Sequence, residues 1–164
     1  GTQVLRGGND NKLSLLDVVT GEEVWTVERA DWVNTCSFSP DGSQVLCGGR
    51  DKKLSLLDAV TGKQVWTAER ARAVTTCSFA PDGKHVLCGG EDKKLSLLDA
   101  VTAEEVWTVE RAVKTCAFSP DGSQVFCGGG SDNQMLDAAT GKEPIPSWTV
   151  QDLIRDLIHC EFCR

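Results

Sequence analysis

The chain has 164 residues, 25% of them charged, with sixteen glycines, no tyrosine and a formal net charge of −7. That length suits one ordinary domain with a core of its own. The acidic balance excludes a general nucleic-acid or anionic-membrane surface, which needs a basic excess, and apolar runs such as "SLLDVV" fall far short of a membrane span.

The opening "GTQVLRGG" has neither Met nor a basic-then-apolar leader, and it reads as a processed or excerpted segment. A strand is predicted at "KLSLLD" (12–17), followed by a turn and a second strand in "TGEEVWT" (20–26). Next come "TCSF" and "QVLC", flanking "SPDG", where Pro presets the turn and Gly accepts positive φ. A Gly-Gly corner leads to "KLSLLD" again, and "TGKQVWT" (61–67) gives one more turn and strand. The whole stretch "CSFSPDGSQVLCGGRDKKLSLLD" (36–58) then returns at 77–99 as "CSFAPDGKHVLCGGEDKKLSLLD", and more loosely at 116–137. Trp25, Trp66, Trp107 and Trp148 are 41 residues apart, and a period near 40 built of short strands indicates propeller blades. Each unit reads as four antiparallel strands, a–b–c–d. The last unit departs: "QML" shortens strand c, "EPIPS" inserts prolines before Trp148, and weak helical periodicity shows in "VQDLIRDLIHC".

"FSPDG", "VLCGGRDKKLSLLD" and "TGKQVWT" together resemble the WD-repeat β-propeller family over essentially the whole chain. The Trp-Asp pair of that family is here Leu-Asp (Leu16-Asp17, Leu57-Asp58, Leu98-Asp99, Leu136-Asp137), and its strand-b Ser is Cys47, Cys88 or Cys127. Where the family has Gly-His, this chain has Arg70-Ala71 or Arg111-Ala112; the b–c corner Asp persists as Asp10, Asp51, Asp92 and Asp132. The family's Ser–His–Asp–Trp network is therefore not expected, and apolar packing of Leu, Cys and the strand-d Trp is expected to hold the blades.

The resemblance implies an all-β fold, a β-propeller, and counting the repeats gives about four four-stranded blades where the family usually has about seven: blade 1 at 1–30 plus 157–163, blade 2 at 33–70, blade 3 at 74–111 and blade 4 at 113–150. Blade 1 lacks a strand a, and "LIHCEFC" aligns with "VNTCSFS" as a strand a without a blade. Closure of the ring by that C-terminal strand is the favoured arrangement. Exchange of end strands between two copies, or continuation into a longer polypeptide, stays open.

Pairing Ser39 with Gln44 puts Phe38 across from Val45 and Cys36 across from Cys47, all on one face; Cys77 and Cys88, and Cys116 and Cys127, pair likewise. The eight cysteines read first as small core hydrophobes. Cross-strand disulfides, redox switching and metal binding are the alternatives, although sheet spacing is not ligand spacing. On a straight strand Cys160 and Cys163 point to opposite faces. No cofactor is expected.

No catalytic constellation is apparent. His85 and His159 stand in strands of different blades without a nucleophile motif, and "CGGG" (127–130) is followed by Ser-Asp, unlike a phosphate loop. The d–a and b–c loops would share one face, carrying Arg29, Arg50, Lys52, Lys53, Arg70, Arg72, Lys93, Lys94 and Arg111; the opposite face collects Glu22, Glu23, Asp41, Asp82, Glu104, Glu105, Asp121 and Glu143. Trp32, in a d–a loop where the next blade has Ala73, is a candidate anchor. The reading is a non-enzymatic protein-interaction scaffold within a larger assembly, with protein partners approaching through acidic segments. A thiol-based redox or metal-binding protein and a strand-exchanged structural oligomer are the alternatives. Core thiols favour an intracellular site, an organelle remaining open if a targeting segment has been removed.

Overall fold

A computed structural model describes residues 1–129 and 133–144. They form fourteen strands: β1 (Gln3–Gly7), β2 (Lys12–Asp17), β3 (Glu23–Glu28), β4 (Val33–Phe38), β5 (Gln44–Gly49), β6 (Lys53–Asp58), β7 (Gln64–Glu69), β8 (Val74–Phe79), β9 (His85–Gly90), β10 (Lys94–Asp99), β11 (Glu105–Glu110), β12 (Thr115–Phe118), β13 (Gln124–Gly128) and β14 (Gln134–Asp137). The sheets are β1-β2-β3, β4-β5-β6-β7, β8-β9-β10-β11 and β12-β13-β14, each an antiparallel meander. The fold is all-β and propeller-like, without a closed sheet among the described residues. The end of blade 4 around Trp148, the proposed strand at 157–163 and the helical periodicity at 150–160 fall outside the described residues.

Register follows the hairpin chemistry. Cys36 faces Cys47 and Phe38 faces Val45, with the same pairing at Cys77 and Cys88 and at Cys116 and Cys127. The Asp of each Leu-Asp pair folds the c–d turn: Asp58 Oδ1 accepts the Val60 and Thr61 amides and the Thr61 hydroxyl. Asp17 and Asp99 do the same in their own turns. At the turn end of each c–d hairpin, the pairing shifts register between Leu15 and Leu16, Leu56 and Leu57, and Leu97 and Leu98. Such an irregularity bends the strand and aims its side chains. The Trp that follows reaches forward to the next blade: Trp25, Trp66 and Trp107 Nε1 donate to the carbonyls of Ala59, Ala100 and Ala138, each at 2.8 Å.

The core lies between blades. Leu13, Val33, Val45 and Leu57 join blades 1 and 2; Leu46, Leu56, Val74 and Val86 join 2 and 3; Leu87, Leu97, Val113 and Leu136 join 3 and 4. Apolar packing is not the only fastening, which corrects the expectation from sequence. Arg29, at the end of one blade, donates to Asp51 (2.9 Å) and Ser55 (2.7 Å) of the next. Arg70 repeats this, donating to Ser96 at 2.9 Å and lying 3.0 Å from Asp92. The serines continue into hydroxyl pairs, Ser55 with Thr67 and Ser96 with Thr108. A buried polar chain thus stands in for the Ser–His–Asp–Trp network, keeping the b–c corner Asp and joining it to Arg, Ser and Thr.

Candidate functional site

The d–a and b–c corners meet on one face. The Arg50 amide donates to the Trp32 carbonyl (2.9 Å), and the Glu91 amide donates to the equivalent Ala73 carbonyl (3.0 Å). Glycine is required at Gly49 and Gly90, because an added Cβ would collide with those same carbonyl oxygens. This close approach seats the half-buried Trp32 at the rim and folds Arg50 back over it, the guanidinium 4.1 Å from the ring centroid. A cation so placed is attracted by the ring's quadrupole. Beside the pair lies a depression of 530 Å³ lined by Asp31, Arg50, Lys52, Arg72 and Glu91 with Ala71 and Ala73.

The nine cations expected on this face divide into two groups. Arg50, Lys52, Lys53, Arg72, Lys93 and Lys94 are exposed. Lys52 and Lys93 hold left-handed backbone (φ 63 and 58), presenting them at the tips of the b–c turns. Arg29 and Arg70, in contrast, are turned inward, with side chains only 8% and 10% exposed. Arg111 is partly covered, 3.5 Å from Glu143 and donating to the Cys127 sulfur. The reason is positional: each follows strand d directly, and Arg29 and Arg70 land against the next blade's b–c corner at Asp51 and Asp92, a contact sequence spacing does not display. The exposed part of the face is smaller than expected and is mixed in sign.

The six described cysteines are free thiols. Burial pushes Cys47 and Cys116 up to about 11 and Cys88 to about 12, and it raises Cys36 and Cys77 as well. Protonated thiols are poor nucleophiles and poor metal ligands. No group of three or more His, Cys, Asp or Glu side chains is placed to hold a metal ion among the described residues. Cys77 and Cys116 instead take part in the packing of neighbouring blades, their amides accepted by the hydroxyls of Thr35 and Thr76. Cys160 and Cys163 lie outside the described residues.

On the opposite face, a cleft of 370 Å³ opens between blades 3 and 4, lined by Asp82, His85, Leu97, Val106, Phe118 and Asp121 among others. It joins two a–b turns about 40 residues apart in the chain, so it takes shape only once the two blades are packed together. Among the described residues no helix is long and apolar enough to cross a membrane.

No curated protein matches the chain. The family described as outer membrane protein assembly factor BamB matches residues 9–145, most of its length. The repeated four-stranded sheets agree with that match, and the chain belongs to this family of β-propeller-type repeats.

Proposed function

We propose that the chain is a non-catalytic protein-binding module whose d–a and b–c loop face docks an acidic segment of another protein, as part of a larger assembly. The observation that carries this reading is Arg50 stacked on Trp32 at the rim of the 530 Å³ depression. An aromatic braced by a cation offers a rigid apolar contact, and Lys52 and Arg72 supply attraction at the same spot. The family's description names an assembly factor; holding other chains is the general role carried over here. The turn pattern, with a capping Asp after Leu at each c–d corner, further supports WD-type kinship among propellers.

The test is binding of a labelled glutamate-rich peptide to the chain and to the Lys52→Glu, Lys93→Glu variant, across a salt series. Weaker binding and a flatter salt dependence are expected, with thermal stability unchanged. Equal binding by both proteins removes the basic face from the reading.

A second proposal concerns closure. Val4 is 46% exposed, whereas its equivalents Val45, Val86 and Val125 are at 0%. Among the described residues β1 pairs with β2 alone. We infer that residues 157–163 supply the missing strand within one chain. A native mass of one chain supports this; a mass of two replaces it with strand exchange.

A further inference from the structure

The cleft between blades 3 and 4 lies on the face opposite the depression, and its chemistry is different. Its lining combines the apolar side chains of Leu97, Val106 and Phe118 with the carboxylates of Asp82 and Asp121. The volume, 370 Å³, falls within the roughly 300–1,000 Å³ range of ligand pockets. Glu104 and Glu105, just before Val106, are exposed, as are Lys84 and Lys142.

Blade 3 departs from its siblings at this rim. In blades 2 and 4 the a–b turn satisfies its own Asp: Ser39 and Ser43 hydroxyls donate to Asp41, and Ser119 and Ser123 hydroxyls donate to Asp121. Blade 3 has Ala80 and Lys84 in place of those serines. Asp82 keeps the Lys84 backbone amide, at 2.9 Å, but loses both hydroxyl donors. No salt bridge engages it among the described residues. Of the two a–b turns that border the cleft, that of Asp82 is the one whose carboxylate receives no hydroxyl donor. His85 stands where the siblings have Gln44 and Gln124 and lines the same wall.

We propose that this cleft receives a lysine or arginine side chain from a basic segment of a partner protein. The aliphatic stem would lie along Leu97, Val106 and Phe118, and the charged head would reach Asp82 and Asp121. This site is independent of the loop-face reading, so either can fail alone. It gives the blade array two docking faces of opposite preference.

The experiment is an amide NMR titration of the full chain with three capped tripeptides, Ala-Arg-Ala, Ala-norleucine-Ala and Ala-Glu-Ala. The arginine peptide is expected to give saturable shifts at Asp82, His85, Gly122 and Ala139. The norleucine peptide should bind more weakly, and the glutamate peptide should leave those amides unmoved. Asp82→Asn should weaken the arginine peptide about fivefold, the worth of one partly screened ion pair. Ala139→Phe, at an exposed position on the cleft wall, should abolish binding. Equal binding of the arginine and norleucine peptides overturns the proposal, as do shifts centred on Lys52 and Arg72, or no shifts. If a variant fails to fold, the three peptides on the wild-type chain still decide the question.

Discussion

The Arg29 guanidinium lies 2.8 Å from the Asp51 carboxylate on the following blade, with the two side chains only 8% and 4% exposed. Arg70 and Asp92 repeat the pair one blade on. Removing one partner of such a buried pair strands the other's charge, at a typical cost of about 3–5 kcal/mol. Arg29→Ala should therefore cost about that much in urea unfolding. Arg29→Met with Asp51→Leu should recover most of the loss, because the stranded charge, more than the missing attraction, is what destabilises. A loss in the double variant equal to that in Arg29→Ala would contradict this account.

Ala103 has φ 61, in the left-handed region, where Gly21, Gly62 and Gly141 stand in the other c–d turns at φ 71, 69 and 67. An L-residue there costs about 1–2 kcal/mol, against about 0.4–1 kcal/mol for the greater freedom of an unfolded glycine. Ala103→Gly should stabilise the chain by about 0.5–1 kcal/mol, seen as a rise in the calorimetric midpoint. Gly62→Ala should do the reverse and more, since the new Cβ would come 3.0 Å from the Trp25 ring.

Cys47, Cys88 and Cys116 have thiols raised from 9.0 to about 11, 12 and 11 by burial. Above pH 9 the unfolded chain releases protons that the folded chain keeps, so stability falls as pH rises through the window from 9 to about 11 or 12. Three such thiols give a slope of about 4 kcal/mol per pH unit at most. Denaturant midpoints between pH 8 and 11 should trace it. Replacing all three with Ala should flatten that limb while lowering stability at neutral pH, where the new cavities alone count. An unchanged slope would mean that the thiols ionise equally well in both states.

Asp41 and Asp121 are held down to about 2, first by the Ser39 and Ser119 hydroxyls. Their contribution to stability is present above 3.8 and is lost as pH falls through about 2. In a carboxyl NMR titration, Ser39→Ala should raise the Asp41 midpoint toward 3.8 and leave Asp121 unmoved.

Much of the blade was legible because its determinants are local. "SPDG" sets a turn, the turn sets register, and register puts Cys36 opposite Cys47. The Leu-Asp corners were visible as a pattern, and the hydrogen bonds of Asp58 to Val60 and Thr61 show what that pattern is for. The inter-blade partners were less visible. Arg29 and Asp51 are 22 residues apart, and only the packing of one sheet on the next brings them together. That is why Arg29 and Arg70 looked like surface cations. Trp32 was found by its mismatch with Ala73, but its stacking with Arg50 depends on the close approach at Gly49. The cleft at Asp82 had a quieter signal, the change from Ser to Ala at position 80, which reads as a trivial repeat variation until the neighbouring blade is in place.

The forward reach of each blade has a consequence for how such a chain changes over generations. Trp25 holds Ala59, Trp66 holds Ala100, and Trp107 holds Ala138. Each unit presents the donor its predecessor presented, and offers the carbonyl its predecessor offered. A copying slip that adds or drops one 41-residue unit therefore brings together two surfaces that already fit. Contacts confined to neighbours leave little else to repair. The near-identical blades 2 and 3 are what a gain of that kind would leave behind.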